Sequence, residues 1–235
     1  MPQVLPIDDP DAAERVTAAL GEGALVVAPT DTVYAVLADA FDPEATGRLR
    51  AARHAAADQP LTVLVRGTVQ LFALAAETPD PAQRLMRAWW PGALTLLLPR
   101  GAGPRLDLGA SGGAIAVRQP DHGQLLALLR ETGPLASSSA CGVGEDPPRT
   151  VEDAIEALGD AVALYLDGGA LPGRRSTVVD CTQDGAQVRR RGAVRADAIH
   201  ETLEGEAAEG AAAEGEAAGD GAAPDGPAEG DEPAS

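Results

Sequence analysis

The chain has 235 residues, 36 of them acidic and 18 basic, for a net charge of −18. Eleven of the acidic residues and none of the basic ones lie in 201–235, so the first 200 residues carry 25 against 18, a net of −7. That balance excludes strong, sequence-independent affinity for DNA. Cys141 and Cys181 form no CxxC pair and the three histidines are scattered, which excludes a zinc site and a disulfide framework.

The start, Met1 to Asp9, is acidic and has no apolar run, and no apolar stretch approaches the roughly 20 residues of a membrane span. These features predict a soluble cytoplasmic protein. All 18 basic residues are Arg, in keeping with an Ala-, Arg-, Gly- and Pro-rich composition.

In chain order, Asp9-Pro10 predicts a helix through Leu20, with Asp9 as N-cap and Pro10 in the first turn. Ala24–Ala28 is a continuous apolar run and predicts a buried strand. Pro29-Thr-Asp-Thr-Val-Tyr34 interrupts it with hydroxyls, a carboxylate and a phenol. Asp42-Pro43-Glu44 opens a helix to about Ala55, followed by a strand at Leu61–Val65. Helices are predicted over 69–77 and 80–89, the second capped by Asp80-Pro81. Strands follow at Leu94–Leu98 and Ala114–Arg118, then a helix at His122–Arg130.

Thr150–Leu158 is a helix with Thr150 as cap and Asp153 three residues on. Strands at Ala161–Leu166, Ser176–Asp180 and Gln187–Arg190, and a short helix at Ala196–Leu203, close the domain. Alternating strands and helices imply an α/β fold with a mixed sheet. Residues 204–235 repeat Gly, Glu, Ala and Pro without a bulky apolar side chain, so this acidic tail is predicted to be disordered.

Several segments carry chemical meaning by themselves. Gly168 and Gly173 have P-loop spacing, but Arg174, Arg175 and a strand follow instead of Lys and a helix, so a P-loop is rejected. Ser137-Ser-Ser-Ala-Cys-Gly142 reads either as a polar turn or as a set of hydroxyls and N–H groups facing an anion. Arg118 ends an apolar strand, where a buried guanidinium needs a carboxylate or phosphate, from the protein or from a ligand. Arg189-Arg-Arg191 is a phosphate site, a nucleic-acid patch or a solvated strand end.

Taken together, Pro29-Thr-Asp-Thr-Val-Tyr34, Pro60-Leu61, Trp90-Pro-Gly-Ala-Leu-Thr95, Val117-Arg-Gln-Pro120, Ser139-Ala140, Gly168-Gly169, Ser176-Thr-Val-Val-Asp180 and Arg190-Arg-Gly192 resemble the YrdC-like family in order and spacing. The resemblance implies a single domain over residues 7–203, with a twisted mixed sheet and a concave ligand groove. It also implies threonylcarbamoyl-adenylate synthesis from L-threonine, bicarbonate and ATP with release of pyrophosphate. Mg²⁺ would sit on the phosphates, and the product would pass to tRNA-modifying proteins.

The resemblance gives Thr32, Arg118, Ser137 and Ser176 threonine contacts, with Arg118 on the carboxylate and Tyr34 lining the pocket. Ser139 and Arg190 fall at nucleotide positions. Arg53 takes the catalytic cation position of the family's KxR segment, while Ala55 has lost the second cation. Gln59 and Cys141 occupy further nucleotide positions where the family has Lys or Asn, and the Asn of SAN, respectively. Ala35 replaces a glycine. Two readings follow from these departures: a synthase with a shifted nucleotide site, or a non-catalytic relative binding a small ligand or RNA. A third reading, an unrelated nucleotide-binding α/β protein, requires that Thr32, Arg118 and Ser139 share no groove.

Overall fold

The computed structural model describes residues 2–103, 106–183 and 185–205. Ten strands among them form one sheet: β1 (Gln3–Pro6), β2 (Val26–Pro29), β3 (Tyr34–Asp39), β4 (Thr62–Leu64), β5 (Leu94–Pro99), β6 (Ala114–Arg118), β7 (Leu135–Ser139), β8 (Leu164–Asp167), β9 (Thr177–Asp180) and β10 (Gln187–Arg190). Their order is β1-β8-β2-β3-β7-β4-β6-β5-β9-β10. The pairs β1–β8, β2–β8, β4–β6 and β5–β9 are parallel and the others antiparallel. The mixed α/β sheet is therefore as the sequence implies.

The helices are α1 (Ala12–Gly21), α2 (Pro43–Ala52), α3 (Thr68–Phe72), α4 (Asp80–Trp89), α5 (Gly123–Thr132), α6 (Val151–Leu158) and α7 (196–205). None is long and apolar enough to cross a membrane.

Strand residues alternate between the two faces of the sheet. In β2 and β3, Val27, Tyr34 and Val36 pack into one cluster with α2, α4, α6 and α7, while Val26, Ala28, Ala35 and Leu37 pack into the other with α1 and α5. Both faces are covered there, which explains the continuous apolar run at 24–28. Leu125 and Leu129 of α5 are fully buried under that second face, a contribution of about 2 kcal/mol each.

Elsewhere on the α1–α5 face the pattern turns polar. Register places Thr62, Leu64, Arg118, Ser137 and Ser139 on one side, and through Thr95, Val178 and Arg190 the same side continues across β5, β9 and β10. Of these residues, Leu64 packs into the core built with α1 and α5, and the others are outside that cluster. A polar concavity results.

Several expectations change. Asp9 does not cap α1: its carboxylate accepts the Asp11 N–H at 2.9 Å, closing a turn that delays the helix to Ala12. Asp80 is the first residue of α4, not its cap, and pairs with Arg84 at 2.7 Å. The helix expected over 69–77 stops at Phe72, because Ala75 and Ala76 join the backbone of Pro99 and Arg100. The helix expected to reach Ala55 ends at Ala52.

Three strands were not anticipated. β1 precedes the predicted domain start as a mostly exposed strand ending in proline, β3 continues from the Tyr34 motif, and β7 contains the serine run, which is strand and not turn. The final helix runs two residues beyond Leu203; the rest of the acidic tail, 206–235, lies outside the described residues.

Candidate functional site

Six of the ten sequence-selected residues line one cavity: Thr32, Arg118, Ser137, Ser139, Ser176 and Arg190. Thr32, Arg118 and Ser139 thus share a groove, against the reading of an unrelated fold.

Arg118 is the most heavily wired of these. It ends β6, buried at 6% exposure. Its Nη2 donates to Asp31 Oδ1 at 2.6 Å, its Nη1 to Thr32 Oγ1 at 3.0 Å, and its Nε to the Gly92 carbonyl at 2.9 Å. Burial lowers its pKa and the Asp31 charge opposes that effect; an arginine stays protonated in either case. Three of its five N–H donors are engaged, leaving two for a ligand.

The surrounding loops are built to deliver those partners. Thr30 Oγ1 accepts the backbone N–H groups of Thr32 and Val33 and lies 2.9 Å from Thr32 Oγ1, fixing the 30–33 turn. The Trp90–Pro91 bond is cis. A Cβ on Gly92 would meet the Trp89 carbonyl oxygen at 2.5 Å, so a glycine is needed where this loop presents its carbonyl to Arg118.

The floor is made of hydroxyls. Ser137 Oγ donates to the Thr62 carbonyl at 3.1 Å, and Thr95 Oγ1 and Ser176 Oγ lie 2.9 Å apart. At the far side, Arg190 donates through Nε and Nη2 to the Ser176 carbonyl, and through Nη2 to Ser176 Oγ at 3.3 Å. A Cβ on Gly192 would lie 2.4 Å from the backbone of Arg175 and Ser176, so the glycine lets the Arg190 strand end press against this loop. Burial lowers the Arg190 pKa, and the charges of Arg175 and Arg118 lower it further.

Four sequence-selected residues do not line the cavity. Tyr34 is fully buried; its hydroxyl donates to the Gly169 carbonyl at 2.8 Å and accepts the Gly168 N–H at 2.9 Å. Burial pushes its pKa up to about 12, so it serves as a neutral tether for the 168–175 loop. Arg53 caps the end of α2, and its Nε donates to the Ser139 and Cys141 carbonyls at 2.8 and 2.9 Å. Burial lowers its pKa. Cys141 is buried next to it. Gln59 offers its backbone carbonyl to Arg50 at 3.1 Å.

Sequence reasoning did not select Asp31, Thr62, Thr95 or Arg175. Thr62 and Thr95 carried a signal, since each is a hydroxyl at an alternate position within an apolar strand. Ala35, where a positive φ would have been a concern, lies in regular β3 and contributes a methyl to the cavity wall. Among the described residues, no three His, Cys, Asp or Glu side chains form a metal-binding group.

The family model described as "Telomere recombination", covering Sua5, YciO and YrdC, matches residues 18–192. A Mycobacterium tuberculosis protein named "Putative threonylcarbamoyl-AMP synthase" is 42% identical over 83% of this chain and 92% of its own length. The structure of Pyrococcus abyssi Sua5 complexed with L-threonine matches with a TM-score of 0.79 at 30% identity, over 86% of this chain and 60% of that one. Escherichia coli YciO matches with a TM-score of 0.76 at 27% identity, over 85% of this chain and all of the other.

Proposed function

The chain belongs to the Sua5–YciO–YrdC family, and we propose that it joins L-threonine, bicarbonate and ATP into threonylcarbamoyl-AMP, releasing pyrophosphate. The observation that carries this reading is the cavity itself. One buried guanidinium with donors to spare stands at one end, hydroxyls form the floor, and further guanidiniums stand at the other end. An amino-acid carboxylate suits the Arg118 fork, which is planar and bidentate. Thr32 and Ser137 border the same space and would orient the amino acid.

In this reaction the threonine amine adds to CO₂ derived from bicarbonate, losing a proton to give a carbamate. A carbamate oxygen then attacks the α-phosphorus of ATP in line, and the bond from the α-phosphorus to the α,β-bridging oxygen breaks, with pyrophosphate leaving. Such a transfer depends on positioning and on neutralising phosphate charge more than on an acid–base pair. The residues present suit that division: the cavity lining contains hydroxyls and guanidiniums and no carboxylate. A Mg²⁺ ion would therefore enter on the triphosphate, as is usual for this ion, and not in a protein cage. Ser139 and Arg190 would meet the nucleotide, and Ser176, held by Arg190, would contact the threonine from that side. Arg53 acts behind them by holding the Ser139 and Cys141 carbonyls.

The test is pyrophosphate release by the purified protein with ATP, Mg²⁺, bicarbonate and L-threonine. Threonine-dependent release is expected. Release that is absent, or indifferent to threonine, would overturn the assignment.

A further inference from the structure

Charge is distributed unevenly around the cavity. Arg118 is compensated by Asp31, whereas among the described residues Arg53, Arg175 and Arg190 have no carboxylate within ion-pair distance. Of these three, Arg175 is the least satisfied. Its Nη2 donates to the Glu145 carbonyl at 2.8 Å and approaches Cys141 Sγ at 3.8 Å, a weak acceptor. Its Nε is buried and has no hydrogen-bond partner. Buried donors without partners are rare in folded proteins, and each one asks for an acceptor from outside the chain.

Arg175 also lines the cavity, on the side of Ser139, Ser176 and Arg190. Its charge bears on both neighbours, since it lowers the pKa of Arg53 and of Arg190. Arg175 and Arg190 line the cavity with Arg53 behind them, and a polyanion bound against Arg175 reduces its repulsion with both neighbours. The Glu145 carboxylate, which accepts the Gly142 N–H at 2.7 Å, offsets part of the charge effect on Arg53, while Arg175 reaches only the Glu145 backbone carbonyl.

We infer that Arg175 is a phosphate-binding residue of this chain, its Nε and free Nη1 donating to a pyrophosphate or nucleotide polyphosphate and supplying the positive charge that Ala55 does not. The inference deepens the synthase reading and rests on it for the identity of the nucleotide. The anion site itself stands on the orphaned Nε and the unpaired cluster.

Calorimetric titration with ATP, and separately with inorganic pyrophosphate, in the presence of Mg²⁺ tests it. Arg175→Gln is expected to weaken both ligands about ten- to a hundredfold, the loss of one charge-assisted hydrogen bond. L-threonine affinity should fall far less, because Arg118 is held by Asp31, Thr32 and the Gly92 carbonyl and not by Arg175. Arg175→Lys should recover part of the loss, since it restores charge without the fork; a role confined to propping the loop would not respond to charge in this way.

Unchanged ATP and pyrophosphate affinity in Arg175→Gln would overturn the assignment, as would equal losses for threonine and ATP. If the parent protein binds pyrophosphate through Arg175 but shows no threonine-dependent turnover, the synthase reading fails while the anion site stands. If the parent protein binds neither pyrophosphate nor ATP, the anion site fails.

Discussion

The two ends of the cavity solve the problem of a buried guanidinium in opposite ways. At the Arg118 end every partner is internal: a carboxylate, a hydroxyl and a carbonyl hold the side chain at 2.6–3.0 Å. At the Arg175 end, Arg53, Arg175 and Arg190 lean on backbone carbonyls and form no ion pair among the described residues, and one buried donor is orphaned. The first end is organised before any ligand arrives. The second is a region in which bound anion is part of the structure's electrostatic balance. Removing a cation should therefore have opposite consequences at the two ends.

The largest effect is expected for Arg118→Ala. It leaves Asp31 largely buried without its partner and the Gly92 carbonyl without a donor. Breaking such a pair costs about 3 kcal/mol, readable as a lower midpoint in urea denaturation. Calorimetric binding of threonine should disappear in the same variant. Full stability together with intact threonine affinity would show that Arg118 is neither structural nor ligand-binding.

Arg175→Gln is the contrasting case. It sacrifices one exposed-side hydrogen bond but relieves repulsion with Arg53 and Arg190, so stability without ligand should change by less than about 1 kcal/mol. A loss as large as that of Arg118→Ala would erase the distinction between the two ends.

How much of this contrast was legible in the sequence follows from where the signals lie. Arg118, Thr32, Ser137 and Ser176 were readable because each sits in a motif whose order and spacing are shared with a family. Asp31 lies inside one such motif but gained a role only once β6 brought Arg118 against it, 87 residues away in sequence. Arg175 looked like a failed P-loop residue, and only the fold sets it beside Ser139 and Arg190. Ser-Ser-Ser in β7 has turn-like composition, and pairing with β3 and β4 on both sides overrides that local preference. Tyr34 was assigned to the cavity by motif, although its hydroxyl holds the 168–169 backbone.

A smaller effect sharpens the account of Arg53. Helix α2 ends with Ala55 N–H on the Arg50 carbonyl and His54 N–H on the Ala51 carbonyl, a Schellman arrangement with His54 at φ 52°. A side chain there is strained, and glycine is not. His54→Gly should raise stability by about 0.5 kcal/mol, measured in urea, while leaving Arg53 in place to hold the Ser139 and Cys141 carbonyls. Destabilisation would mean that the histidine side chain makes a compensating contact.

The smallest effect belongs to the Arg118 end and depends on pH. His122 caps α5, its Nδ1 accepting the Leu125 N–H at 3.4 Å, which requires the neutral ring. Burial lowers its pKa from the ordinary 6.5, against the pull of Asp31 and Asp121. Since the folded value lies below the unfolded one, the unfolded chain takes up the proton first as pH falls. The contribution is thus fully present above about pH 6.5 and is lost as pH drops toward the folded pKa. Protonation also removes the lone pair that makes the cap. The urea midpoint should fall further between pH 7.5 and 5.5 in the parent protein than in His122→Asn, where an amide caps without titrating. Equal differences in the two proteins would show that the pull of Asp31 and Asp121 cancels burial at this corner of the site, so that folding leaves the ring's titration unchanged.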